Sequence, residues 1–219
     1  IVERDIRLLR EIERVEGIRP HLHVQHVSTA RALHAIRAAH SAGLPVTCAA
    51  APHHFALTEA AIGDYNTNAK MNPPLRAEDD RRAVVDALLD GTIDCIATDH
   101  APHATWEKEV EFERAPNGIT GLETALGLAL RILHRDTGLP LSKVIALMSA
   151  HPAEVVGLKD RGTLKRGNSA DLVLFDANIE WSFEASNSRS KSRNTPFDGA
   201  AMSGRVCATI CEGRLVYRA

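Results

Sequence analysis

The chain has 219 residues, 44% hydrophobic and 25% charged, with a formal net charge of -2. That is a globular composition, long enough for one large domain or a domain with an appendage. The near-neutral balance gives no electrostatic reason to expect nucleic acid or an anionic membrane as partner, and no apolar run approaches bilayer-spanning length. The four cysteines, Cys48, Cys95, Cys207 and Cys211, lack CxxC spacing. On a shared strand, Cys207 and Cys211 stand about 13 Å apart, beyond disulfide reach, so a reducing cytoplasm is the expected setting. Eleven histidines are the compositional oddity.

In chain order, "IVERDIRLLREIERVEG" predicts an amphipathic helix whose buried stripe is Val2, Ile6, Leu9 and Ile12. "HLHVQHVS" reads as a strand, with Ser28 or Thr29 capping a helix that carries Leu33 and Ile36 and stops at Gly43. "PVTCAAAP" is a second strand. A long polar connection then leads to a helix with Val84, Val85, Leu88 and Leu89, and "IDCIATD" is a third strand. The loop "HAPHATWEKEVEFERAPNG" precedes an expected helix with the stripe Ile119, Leu122, Leu126, Leu130 and Leu133. Two further helical stretches fall around 141–149 and 151–157. From about Gly162 the pattern becomes β-rich, in "GTLKRGNSADLVLFD" and "GRVCATICEGRLVYR", joined by a Ser/Arg/Lys-rich linker.

Nearly continuous apolar strands alternating with helices predict an α/β fold with a parallel sheet covered by helices. The expected organisation is a partial (β/α)8 barrel over residues 1–160 and a small β-rich appended domain over 161–219. A complete barrel needs about 250 residues, so the sequence predicts roughly its C-terminal half. The opening inside a helix suggests the same.

Polar residues gather where strands end, the place such barrels put their chemistry. Asp99 closes the apolar run "IATD", where a carboxylate needs a cation or several donors. Its bland reading is a turn or cap residue. His100 and His103, separated by Pro102, favour a metal or catalytic site. His26 ends the first strand in a parallel position, against the bland reading of a backbone-bonded core histidine. His21 and His23 make an H-x-H pair, but at the strand's beginning, away from that end. His53 and His54 follow Pro52 at another strand end and read as packing around a site rather than as ligands. Asn72 sits in the proline-stiffened "KMNPPLR", suited to ligand recognition or to a plain turn. Arg189, Lys191 and Arg193 read as a solvated basic loop.

The segments "HVQHVST", "KMNPPLR", "DGTIDCIATDHAPH", "GITGLETAL" and "SRNTPFDG", in this order, resemble the C-terminal half of a class I dihydroorotase of the amidohydrolase superfamily. The resemblance covers essentially the whole chain. It implies reversible, zinc-dependent cyclisation of N-carbamoyl-L-aspartate to L-dihydroorotate, in pyrimidine synthesis, with two Zn2+ ions in a complete site. By motif, His26 resembles a ligand to the second zinc. Asp99 resembles a ligand to the first that also serves as general base and acid. Asn72 and His103 resemble substrate-binding residues. Asn117 and Gly118 resemble a loop whose backbone meets the ring, although the family more often has a bulky residue at the position of Asn117. On this resemblance His21, His23, His53 and His54 are not ligands. The family's H-x-H-F-R motif, bridging acid and third histidine ligand have no counterpart here, so the chain alone is expected to bind zinc weakly and to turn over nothing.

The resemblance leaves open a homodimer and a partnership with aspartate carbamoyltransferase. A catalytically inactive homologue that scaffolds that enzyme is one competing reading, against which the intact His26, Asp99 and His103 stand. A hydantoinase or allantoinase is another, against which Asn72 and His103 stand.

Overall fold

The computed structural model describes residues 1–219. Helix α1 (Val2–Glu16) buries Ile6 and Leu9 and ends at Gly17, whose left-handed backbone returns its N–H to the Glu13 carbonyl. Ile12, expected in the stripe, is half exposed. Strand β1 (Leu22–Val24) leads to α2 (Ala30–Ser41), capped by the Thr29 hydroxyl, which accepts from Ala32 N–H. Strand β2 (Val46–Ala50) runs into the short helix α3 (Pro52–Ala56), and α4 (Glu78–Leu89) precedes β3 (Cys95–Ile96).

The three strands are parallel in the order β1-β2-β3, with His23 opposite Thr47 and Ala50 opposite Ile96. Four of the five β2 residues are buried, as a strand covered on both faces requires. The helices pack around this sheet through Leu33, Ile36, Val84 and Leu88.

The helix expected from Ile119 starts later. Its first regular turn is α6 (Ala125–Ala129), which widens into π-type geometry over Leu130–Asp136. Ile119 instead bridges to His100, and Leu122 is exposed. The Ile119 carbonyl, which would open the helical ladder, accepts from Ala101 N–H instead, and the segment is tied down further by Thr120 N–H to the Asn194 carbonyl and Gly121 N–H to His100 Nδ1. The short helix α5 (Thr105–Lys108) also interrupts the expected loop.

After α7 (Leu141–Met148) and α8 (Ala150–Val155), strands β4 (Leu172–Ser182), β5 (Ala201–Cys211) and β6 (Arg214–Arg218) form an antiparallel sheet. Cys207 and Cys211 lie on β5, free and exposed. No helix of the structure is long and apolar enough to cross a membrane.

One hydrophobic cluster joins both sheets, with Met202 and Leu130 among its members. The seam between β5 and the α6 region is made by two glycines. A Cβ on Gly127 would stand 2.9 Å from Met202 Cβ, and one on Gly204, at φ +77°, 2.2 Å from Leu130 Cδ1. Each glycine is thus the notch for the other element's large side chain. Leu130→Ala is expected to cost about 2–5 kcal/mol by leaving a cavity, and Gly204→Ala about 1–3 kcal/mol by overpacking. In urea unfolding the double variant should lose less than the sum of the two, because the added methyl enters the space vacated by Leu130. Strict additivity would contradict this seam.

Candidate active site

The parallel strands deliver their polar residues to one end of the sheet through breaks in regular geometry. His26 follows β1 with φ 54°, and Asp99 follows β3 with φ 50°. Non-glycine residues rarely adopt this left-handed conformation, which persists where surrounding bonds fix it. Those bonds are present: Val27 N–H donates to Ala49 O at 2.8 Å, Ala97 N–H to Ala50 O at 3.0 Å, and Ala101 N–H to Ile119 O at 2.8 Å. The third strand end supplies His53, second residue of α3, in a helix that begins with Pro52 as short helices favour.

These three side chains converge. His26 Nε2 lies 3.8 Å from Asp99 Oδ1, and His53 Nε2 lies 4.0 Å from Asp99 Oδ2. Neither separation is a hydrogen bond. His53 is almost wholly buried, yet its Nε2 has no partner, and His26 Nδ1 and His54 Nδ1 are likewise buried and unpaired. Burial pushes the His53 pKa well below its usual value, with the neighbouring His54 and His26 adding to it. Its imidazole is therefore neutral, the state in which a ring nitrogen offers a lone pair to a metal.

Two imidazoles and a carboxylate facing one space are a donor set suited to zinc. No group of three or more His, Cys, Asp or Glu is placed to hold a metal ion as the side chains stand. Donors around one tetrahedral zinc lie about 3.3 Å apart, so these three face the right space but stand slightly wide of it. Of the three, His53 alone turns a buried, unpaired ring nitrogen toward Asp99, and that bare nitrogen is the feature that fits such an ion.

His53 packs around the site as the sequence suggests, and its ring stands against Asp99 as that of His26 does. His54 is different: its Nε2–H donates to the Pro73 carbonyl at 2.9 Å, and burial pushes its pKa down to about 4. It thereby ties α3 to the segment of Asn72, an exposed residue followed by a cis bond to Pro73. His21 Nε2 and His23 Nδ1 both bond the Thr47 hydroxyl, at 2.8 and 2.7 Å, at the beginning of the strands. His100 accepts Gly121 N–H and serves the backbone. Two clefts of about 540 and 640 Å3 lie elsewhere, and neither contains His26, His53 or Asp99.

Beside this cluster, His103 and Asn117 are brought together. His103 Nε2–H donates to the Asn117 carbonyl at 2.9 Å, and its Nδ1 lies 3.7 Å from Glu107. Gly118, at φ +113°, has no room for a side chain, since a Cβ would fall 2.4 Å from Ala101 Cβ. Its N–H donates to the Lys70 carbonyl at 2.9 Å, which draws this turn to the segment carrying Asn72. Lys70 Nζ in turn donates to the carbonyls of Phe112, Glu113 and Ala115, closing the 101–120 loop on itself. The sequence did not single out Lys70, Lys108 or Asn194, whose partners are backbone atoms at no regular spacing. Only the positions of Lys70 inside "KMNPPLR" and Asn194 inside "SRNTPFDG" hinted at a role.

Residues 9–216 match the amidohydrolase family. Among curated proteins, the chain is 49% identical over 216 residues to a dihydroorotase of Trichlorobacter lovleyi, covering 99% of the chain and 50% of that protein. It is 48% identical over 219 residues to a dihydroorotase of Anaplasma phagocytophilum, covering 100% of the chain and 47% of that protein. Among solved structures, the dihydropyrimidinase of Brevibacillus agri matches with a TM-score of 0.91 at 24% identity, which bears on fold alone. An L-hydantoinase from Arthrobacter aurescens matches with a TM-score of 0.87 at 30% identity; each of these two matches covers 99% of this chain and 48% of the other. The chain thus spans about half the length of the relatives it matches. With an α/β fold of that kind and a family match running nearly end to end, the chain belongs to the amidohydrolase family.

Proposed function

We propose that this chain forms one side of the active site of a dihydroorotase, which opens the ring of L-dihydroorotate to N-carbamoyl-L-aspartate and closes it again. The observation that carries the reading is the convergence of His26, His53 and Asp99, with buried ring nitrogens left unpaired, beside the His103–Asn117 contact. Identity of 47–49% to proteins named dihydroorotase supports the choice within the family. The hydantoinase likeness rests on lower identity. Residues 1–160, with the parallel sheet, are the C-terminal half of a (β/α)8 barrel, and residues 161–219, with the antiparallel sheet, are an appended β-rich unit. The remaining barrel strands and metal ligands belong to a part equivalent to the relatives' other half. The setting is the cytoplasm.

His26, His53 and Asp99 would hold divalent metal, with zinc suited to this donor set and two ions expected in the complete site. Bound there, it would supply an acidified water and polarisation of the ring's amide carbonyl. The Asp99 carboxylate accepts the proton of the attacking water and returns it to the departing ring nitrogen. The His53 imidazole stays neutral, and the His26 and His53 rings flank that carboxylate. Asn72, His103, Asn117 and Gly118 hold the substrate: the Asn72 amide offers a donor to its carboxylate, the His103 ring, its Nε2–H committed to the Asn117 carbonyl, borders the same space, and the turn at Asn117 and Gly118 borders the ring. A neutral amide donor binds the anion without drawing metal away.

Three donors are too few for two metal ions. The 219-residue chain by itself should therefore show no dihydroorotate hydrolysis above background in a spectrophotometric assay, and robust turnover would refute the two-part site. In the full-length protein, Asp99→Ala should lower kcat by about 100-fold or more while the circular dichroism spectrum is unchanged. The neighbouring histidines separate by metal analysis: His53→Asn should lose bound zinc, whereas His54→Asn should keep it, because His54 is committed to the Pro73 carbonyl. Equal retention in both variants would remove His53 from the metal centre.

A further inference from the structure

Beneath the substrate loop, one carbonyl oxygen is held twice. The Gly118 oxygen accepts from Lys108 Nζ at 3.2 Å and from Asn194 Nδ2 at 3.1 Å. These donors come from α5 and from the connection between β4 and β5, and both residues are only 4% exposed. Lys108 also donates to the Pro116 carbonyl at 2.8 Å. Asn194 also donates to the Ala101 carbonyl at 2.9 Å, while its own Oδ1 accepts from His103 N–H at 3.0 Å. Every polar atom of the Asn194 side chain is thus engaged with the two loops that carry His103 and Gly118.

The lysine is the more telling of the two. Lys108 is buried without a carboxylate partner, an arrangement that costs free energy. Burial pushes its pKa down to about 8, with repulsion from Lys70 contributing less, so it remains mostly charged at neutral pH. The Pro116 oxygen it holds belongs to the peptide unit whose N–H is that of Asn117. This N–H makes no hydrogen bond within the chain. A cation on a peptide oxygen polarises the unit and strengthens its N–H as a donor.

We propose that Lys108 and Asn194 are positioning residues, which hold the His103 ring and the free Asn117 N–H in one frame for a carboxylate-bearing substrate. The identity of that substrate rests on the dihydroorotase reading. Asn194 sets the spacing of the two loops, and Lys108 sets the level and donor strength of the turn. Neither touches the reacting atoms or the metal donors.

The test uses the full-length enzyme with Lys108→Met, Asn194→Ala and the double variant, read by KM, kcat, bound metal and melting temperature. Each single variant should raise KM for dihydroorotate about tenfold or more, with kcat within about threefold and metal content unchanged. The double variant should raise KM by less than the product of the two, since both act on the Gly118 oxygen. Lys108→Arg, which keeps the charge, should recover part of the loss. Should Lys108→Met fail to fold, Asn194→Ser and Lys108→Arg are read by the same criteria. Wild-type KM in the folded variants, or losses that track only metal or folded fraction, would overturn the proposal. A full-length wild type without dihydroorotate turnover would remove both this inference and the functional reading. An active wild type indifferent to these substitutions would remove this inference alone.

Discussion

Two parallel strands must release their chains at the same level for this site to exist, and each does so through one residue in a left-handed conformation. At His26 and Asp99 the backbone leaves the ladder, and the next hydrogen bonds resume at once, at Val27 and Ala101. Such conformations cost on the order of 1–3 kcal/mol each, so the surrounding bonds must over-determine them. The outcome is a carboxylate with an imidazole on either side and no hydrogen bond between them. A fold that only had to be stable would pair these groups with donors and acceptors. Here they stand 3.8 and 4.0 Å apart without bonding one another.

The antiparallel sheet contributes to this end of the molecule more than its distance in sequence suggests. Its β4–β5 connection places Asn194 between the His103 and Gly118 loops, and Thr120 N–H bonds to the same residue's carbonyl. The loop region is therefore held from three sides: by Lys70 along its outer rim, by Lys108 from within, and by the distant connection from below. A segment of 20 residues, rich in charge and nearly without regular structure, becomes a defined surface because its carbonyls have buried donors.

The alternation of strands and helices was legible because buried parallel strands leave continuous apolar runs, as in "PVTCAAAP". Asp99 and His26 were legible because a polar residue ending such a run is conspicuous. The helix expected from Ile119 was misplaced because its periodicity is genuine while its first turn is tied to the 100–101 segment and to Asn194, through bonds of Ile119, Thr120 and Gly121 that no local pattern announces. The direction of the His53 ring was not legible, because a histidine after a proline reads alike whether its ring nitrogen is paired or bare. Lys108 and Asn194 left no spacing signal at all, since a bond from a side chain to a remote carbonyl obeys no local period.

The paired notches at Gly127 and Gly204 bear on how this architecture can move. Two pegs facing in opposite directions along one seam act as a key in a keyway: a shear that frees Met202 drives Leu130 into its own wall. The antiparallel sheet must then travel with the helix it abuts as a single stiff body. Admission of a small molecule falls to the loops above the strand ends, not to any hinge between the layers.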